Sequence, residues 1–356
     1  MIVFGQILYS IDQIKAGDKG PLPPEFEQGF QFCRRWLNGQ DRFSLQTSGS
    51  TGEPKIIEVY RKQLLSSVNA TRQFFKVKKG WKLLCCLDLD KIAGKMMLLR
   101  ALEWEAHLWV HLPAANPLEN LMEVDFDFVA MVPLQAEACL NNSRTKEALN
   151  KIKNLIIGGA SISVPLKEAL SNLKGSVYQS YGMTETVSHI ALADVKKPGP
   201  LVYQTLPGVE LKIDGEQRLQ VRAPMTGDQW LPTNDMVQMI SSASFIWKGR
   251  ADFVINSGGI KIHPEEITAK LSGLMQEFFP GKKYFFTGRP DHQLGQSLIA
   301  VVEGVDDKKV GKAFLNQAKA ILPRYKNPKD IVFVTEIKIT SSGKIDQLRT
   351  LATWKN

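Results

Sequence analysis

The sequence predicts an α/β protein: a large N-terminal domain with a mostly parallel sheet and a β-rich section, then a small, mobile C-terminal α+β domain. Three observations carry this expectation. Between Leu83 and Ser180 short apolar runs alternate with stretches of helical periodicity, the pattern of α/β units around a parallel sheet. Beyond Gly208 the strand-like runs follow one another closely, as hairpins do. At residues 249–253 charged and small residues interrupt the apolar pattern, which sets domains at 1–248 and 254–356 with a hinge between them.

The elements follow in order. Phe26, Phe30, Cys33 and Leu37 recur at helical spacing, and Asn38-Gly39 offers a C-cap. Arg42 to Thr47 alternates as a strand, a Ser/Gly/Thr-rich loop follows, and Ile56 to Tyr60 reads as a second strand. Leu64, Leu65, Val68, Phe74 and Phe75 mark a helix. Strands at Leu83–Leu87, His107–Leu112, Phe126–Val132, Leu155–Ile157 and Val177–Ser180 then alternate with helices at Gly94–Glu105, Leu134–Leu140 and Pro165–Leu173. Val209–Ile213, Leu219–Arg222 and Met236–Ile240 form the β-rich section. The last section carries strands near Tyr284–Phe286 and Leu298–Val302 and helices near Pro264–Leu271 and Val310–Leu322.

Composition narrows the class. The chain has 356 residues, 44% hydrophobic and 23% charged, enough apolar material for a sizeable core. The start has no basic segment and soon meets Asp12, unlike a signal peptide, and no apolar run reaches the roughly 20 residues of a membrane span. A soluble, cytoplasmic protein with no membrane partner is therefore expected. Cys33, Cys85, Cys86 and Cys139 make no C-x-x-C pair and read as reduced core residues. Five histidines without a close His/Cys cluster argue against structural zinc. The net charge of +9 comes without a Lys/Arg block or aromatic–basic alternation, so nucleic acid is not the expected partner. A basic field suits phosphate-rich small molecules equally well.

Four motifs carry the chemistry. The first is Thr47-Ser48-Gly49-Ser50-Thr51-Gly52-Glu53-Pro54-Lys55, between two predicted strands. Its glycines let backbone N–H groups approach a polyphosphate, its hydroxyls add donors, and Lys55 adds positive charge. It is not a Walker A loop, because Gly49 and Gly52 stand three apart and Pro54 precedes the lysine. Composition alone would make it a flexible loop; the ordered combination is more specific. The second is Tyr178 to Glu185, with Gly158-Gly159-Ala160 closing a strand just upstream. The third runs from Thr233-Asn234-Asp235 through Trp247-Lys248-Gly249-Arg250-Ala251-Asp252 to the Ser257–Glu266 segment. The fourth is Thr340 to Asp346, near the C-terminus.

In this order the motifs resemble those of the adenylate-forming, AMP-binding superfamily, which includes acyl-CoA synthetases, luciferases and peptide-synthetase adenylation domains. The resemblance runs from about residue 42 to 350. It implies an acid–thiol ligase that uses ATP, Mg²⁺ and coenzyme A on a small-molecule carboxylic acid. By resemblance Thr47 to Gly52 and Lys55 cradle phosphates, Gly158, Gly159 and Ala160 border adenine, and Tyr181, next to Gly182, packs on it. Thr184 contacts the α-phosphate and Glu185 ligates Mg²⁺, for which one carboxylate beside the phosphates commonly suffices. Asp235 and Arg250 hold the ribose, although Asn234 stands where the family has glycine. Asp252 is the hinge, Gly258, Gly259 and Lys261 belong to the loop that serves thioester formation, and Lys344 reaches the reacting carboxylate.

Asn154 to Ile162 and Thr184 to Ala191 resemble most the subfamily of 2-succinylbenzoate–CoA ligases of menaquinone biosynthesis. That resemblance implies an acyl pocket with Ser188 and His189, and Lys95 is the candidate counter-charge for a second carboxylate. Lys95 could equally open a helix on the solvent side, with Asp88 and Asp90 beside it. About 46 residues precede the phosphate loop where the superfamily has well over a hundred, which implies a shortened N-terminal subdomain. Homo-oligomerisation stays open. Two other functions stay open as well: loading of a carrier-protein phosphopantetheine, and non-catalytic AMP binding.

Overall fold

The structure is a computed structural model that describes residues 1–46, 56–121, 124–340 and 345–354. Among the described residues, thirteen strands form one continuous sheet. Its parallel block runs Ile2–Phe4, His107–Val110, Lys82–Cys85, Phe128–Met131, Asn154–Ile157 and Ser176–Gly182 across space. From Ser176–Gly182 the sheet continues antiparallel through His189–Asp194, Val202–Thr205, Ser244–Arg250, Leu231–Ser241, Arg218–Arg222 and Glu210–Ile213. The β-rich section expected beyond Gly208 is thus an extension of the same sheet.

The central parallel strands, Lys82–Cys85, Phe128–Met131 and Asn154–Ile157, are almost wholly apolar because both faces are covered. Leu83, Cys85, Phe128, Ala130 and Ile156 point into one core, while Leu84, Val129, Met131, Leu155 and Ile157 point into the other. The first core is closed by helices Glu27–Leu37, Arg61–Phe75 and Ile92–Glu103. The second is closed by Pro133–Leu140, Ser143–Lys151 and Val164–Ser171. Helix Ile92–Glu103 is buried on nearly every side, and it lies so close to the preceding loop that a Cβ on Gly94 would stand 2.3 Å from the Asp88 carbonyl oxygen. At the far edge an N-terminal hairpin pairs Ile2–Phe4 with Ile7–Tyr9 around Gly5 at φ 63°, and Phe4 and Tyr9 pack on Phe30.

A second, five-stranded sheet gathers Ile255–Ser257, Ile260–Ile262, Tyr284–Asp291, Gly295–Glu303 and Asp330–Val334. Helices Pro264–Phe278 and Lys308–Ile321 cover one face, and Ile337, Ile345 and Leu351 pack on the other. The cores of this sheet draw on residues from Ile255 onward, and those of the large sheet end at Trp247. Among the described residues no helix is long and apolar enough to cross a membrane.

Candidate active site

Those of the predicted nucleotide residues that are described gather where the parallel block meets its antiparallel extension, at the C-terminal ends of the parallel strands, the usual ligand edge of such sheets. Strand Ser176–Gly182 delivers Tyr181 and runs into a 3₁₀ turn, Thr184–Thr186. Thr186 builds that turn: its Oγ1 accepts from the Met183 N–H at 3.0 Å and lies 2.7 Å from the Ser188 carbonyl, to which it donates. The chain folds back so tightly that a Cβ on Gly182 would stand 2.3 Å from the Ser188 carbonyl oxygen. Buried Val187 is held at φ 66°, a left-handed conformation that costs a β-branched residue strain energy. Thr184 and exposed Glu185 are presented on this stiff turn.

Asp235 is the centre of the next cluster. It is buried, and Thr233 Oγ1 accepts from its backbone N–H at 3.1 Å. The Tyr181 hydroxyl donates to Asp235 Oδ2 at 2.7 Å and the Trp247 indole N–H to Oδ1 at 2.9 Å. Burial, then the Asp235 carboxylate, push the Tyr181 phenol well above its ordinary pKa. The Tyr181 ring lies edge-on to Phe245 and Tyr203, which fixes its orientation. Arg250 is paired with Asp235 across the hairpin, and its guanidinium donates to Asp252. Arg250 Nε is buried without a partner. Each carboxylate oxygen of Asp235 keeps a free lone pair, so two ribose hydroxyls can still be accepted.

The segment expected beside adenine, Gly158 to Ala160, follows strand Asn154–Ile157. Gly159 has φ 85°, and Ser180 Oγ stands where a Cβ of Gly158 would fall, at 2.6 Å. Gln179, on the strand beside it, donates through Nε2 to the Ala160 carbonyl at 2.9 Å, and its buried Oε1 has no partner. Sequence reasoning passed over this residue, although a lone glutamine facing a glycine pair was a usable signal.

Ser188 and His189 come together around a residue the sequence reading missed. Arg100 lies on helix Ile92–Glu103 with 3% exposure, and no carboxylate among the described residues pairs with it. Its guanidinium donates to Ser188 Oγ at 3.1 Å and lies over the Phe128 ring, 5.8 Å from the centroid, while its Nε has no partner. Burial pulls the Arg100 pKa down to about 10. Burial, reinforced by Arg100, drives His189 well below the usual imidazole range, so its ring is neutral. His189 lies 3.2 Å from Thr71 Oγ1 and 3.4 Å from Ser188 Oγ. The signal for Arg100 was a single charge inside the apolar run from Met96 to Leu102. Lys95 stands apart from this group. Five residues earlier, roughly 140° around the helix, its Nζ donates to the Asp90 carbonyl at 2.9 Å.

Asp252 lies in the 3₁₀ turn Ala251–Phe253 between the two sheets. Gly258 and Gly259, at φ 57° and 80°, make the tight turn between strands Ile255–Ser257 and Ile260–Ile262, with Lys261 exposed beyond it. Thr47, Ser48, Gly49, Ser50, Thr51, Gly52, Lys55 and Lys344 lie outside the described residues.

Comparison with known proteins identifies the family and the fold. The family described as AMP-binding enzyme matches residues 35–230. A solved structure of an acyl-CoA synthetase (AMP-forming)/AMP-acid ligase II-like protein from Dyadobacter fermentans is 38% identical, with a TM-score of 0.65, covering 95% of this chain and 97% of that one. The 2-succinylbenzoate–CoA ligase of Lactococcus lactis is 25% identical over 320 residues, 85% of this chain and 68% of its own length. The O-succinylbenzoate coenzyme A synthetase of Bacillus subtilis, solved with ATP and magnesium ion, shares the fold at a TM-score of 0.73 and 21% identity, covering 86% of this chain and 69% of that one. Other relatives of similar identity are named for other aromatic acids, indoleacetate among them.

Proposed function

Since the chain belongs to the AMP-binding enzyme family and is an adenylate-forming acid–CoA ligase, we propose that its acid is a dicarboxylate of the 2-succinylbenzoate type, activated at its aliphatic carboxylate. The observation that carries this reading is Arg100: a buried guanidinium with no carboxylate partner among the described residues and an unmatched N–H. An isolated buried charge costs several kcal/mol. A substrate carboxylate seated against Arg100 and Ser188 removes that cost. Neutral His189 and Thr71 add hydrogen-bonding capacity without a competing charge. Arg100 replaces Lys95 as the counter-charge in this reading.

The reaction runs in two steps. The aliphatic carboxylate attacks the α-phosphorus of ATP and pyrophosphate leaves. The thiol of coenzyme A then attacks the acyl-adenylate carbonyl and AMP leaves. Such chemistry needs positioning and charge neutralisation rather than a nucleophilic side chain. Asp235 and Arg250 take the ribose, the free Gln179 Oε1 accepts the adenine amino group, and Thr184 meets the α-phosphate. The phosphate loop, Thr47 to Lys55, surrounds the β- and γ-phosphates, and Lys344 neutralises charge developing at the reacting carboxylate. Mg²⁺ brought with ATP and held by Glu185 supplies further neutralisation. Asp252 serves as the hinge that exchanges Lys344 for the Gly258–Gly259 turn between the steps.

The test is pyrophosphate release with a panel of acids, with and without coenzyme A. 2-Succinylbenzoate should exceed 4-phenylbutyrate, which keeps the chain but lacks the ring carboxylate, by orders of magnitude in kcat/KM. Equal use of the monoacid overturns the dicarboxylate reading and leaves the ligase standing. Thioester formation only with a phosphopantetheinylated carrier protein would instead make the chain a carrier-loading enzyme.

A further inference from the structure

Helix Pro264–Phe278 of the small sheet packs its first turn against strand Ser244–Arg250 of the large one. There the Glu265 carboxyl group lies directly over the backbone of Gly249, so that a Cβ on Gly249 would stand 2.1 Å from Glu265 Oε2. Gly249 is buried at φ 122°, in a conformation that favours glycine. Glu265 Oε2 is shut off from solvent without a hydrogen-bond partner, and so is Arg250 Nε. The Glu265 carboxyl is met only by backbone N–H groups, its own and that of Arg250, while the Arg250 guanidinium is committed to Asp252. Unmet buried groups are rare in native structures, and each calls for a physical explanation.

The charges around Glu265 are unequal. Asp235, on strand Leu231–Ser241, repels an anion there, and Arg250 on the neighbouring strand attracts one. On its own helix Glu266 is already paired, with Lys270 and Lys326. His263, just before the helix, has its pKa lowered by burial and sits among Lys248, Lys261 and Lys326.

We propose that Glu265 is a proton-dependent latch between the small C-terminal section and the hairpin that carries Asp235 and Arg250. Protonated, it seats the helix on Gly249. Ionised, it opposes that seating, because burial penalises the charged form by more than the backbone N–H groups and Arg250 offset. The latch rests on the reading of residues 249–253 as a hinge and makes rotation about that hinge sensitive to pH.

Burial raises the Glu265 pKa to about 7 in the seated arrangement, with Asp235 adding to the rise and the Arg250 amide and guanidinium opposing it. Swung into solvent, the group returns to its ordinary value of 4.5. A group whose pKa is raised on seating favours the seated form fully below the free value and loses that contribution as pH climbs to the raised one. The seating equilibrium should therefore fall by up to about tenfold per pH unit, roughly 300-fold in all, and level off above about pH 7.

The experiment measures energy transfer across the hinge in the full chain without substrates. Dyes on Lys151→Cys and Lys312→Cys label two exposed sites, since the four native cysteines are buried. Glu265→Gln keeps the shape and cannot ionise. The expected result is a fall in the seated population between pH 4.5 and pH 7 in the parent, and a constant, seated signal in Glu265→Gln. At pH 8 the two should differ by roughly 300-fold in the seating constant. A flat profile in the parent overturns the latch, and so does a titration that persists in Glu265→Gln. Neither outcome depends on which acid is activated, so the dicarboxylate reading is tested separately.

Discussion

Replacing Arg100 by methionine should change stability and activity in opposite directions. Methionine keeps an unbranched side chain of similar reach and removes the charge. In the free enzyme the lost interactions are one hydrogen bond to Ser188, at 3.1 Å, a weak one to Met97 Sδ, at 3.6 Å, and the contact over Phe128. Against them stands the cost of burying a guanidinium that no carboxylate among the described residues neutralises, a cost that already pulls its pKa down to about 10. Exchanging buried charge for apolar packing is commonly neutral or stabilising by about 1–4 kcal/mol, so thermal unfolding should stay level or move up. With the diacid bound the balance reverses. Removing one partner of a buried, hydrogen-bonded charge pair costs about 2–5 kcal/mol, or roughly 30- to 4,000-fold in kcat/KM for 2-succinylbenzoate. 4-Phenylbutyrate, without the ring carboxylate, should change little or improve. Pyrophosphate release with both acids, beside thermal melts of both proteins, is the assay. An equal loss with both acids, or a destabilised enzyme whose selectivity is intact, refutes the role given to Arg100.

Lys344→Ala should cut the adenylation step by about 10²–10³, the usual worth of one preorganised charge. Folding and ATP binding should hold, and supplied acyl-adenylate should still form thioester; retained adenylation would refute the assignment. Asp252→Pro locks φ near −65° in the turn between the two sheets and should spare adenylation while crippling thioester formation in single-turnover assays, whereas equal loss in both steps would point to misfolding. Gly182→Ala places a methyl group 2.3 Å from the Ser188 carbonyl oxygen. It should reposition the Thr184–Glu185 turn and weaken nucleotide binding by calorimetry more than it lowers the melting temperature.

Five strands of the parallel block, all but Ile2–Phe4, were legible as short apolar runs alternating with helical stretches, because burial on both faces relaxes the need for alternation. Helices Arg61–Phe75 and Pro264–Phe278 were visible as apolar positions at helical spacing, although both run longer than the residues that marked them. Three-residue strands such as Ile255–Ser257 and Ile260–Ile262 carry too few residues for any period to register. The N-terminal hairpin had a local signal in Gly5, but its place at the sheet edge depends on pairing with His107–Val110, a hundred residues away. That the antiparallel section continues the main sheet likewise depends on one long-range pairing, Val202–Thr205 with Ser244–Arg250.

The residues proposed to face the nucleotide were readable because they sit in short contiguous motifs whose chemistry is local: glycines where backbone must approach a ligand, and a Thr-Glu pair on a turn. Only the tertiary structure decided what lies behind them. Arg100, Ser188, His189 and Thr71 come from three separate stretches of chain, and nothing in their neighbours' identities tells that they meet. The same holds for Glu265 over Gly249 and for Tyr181 and Trp247 on Asp235. A side chain's burial and partners are set by how sheets and helices close over it, and with them its charge state. Lys95 and Arg100 were equally basic on paper. One reaches the backbone of a neighbouring loop and the other is enclosed without a counter-ion among the described residues, because five helical steps turn them to different sides of the same helix.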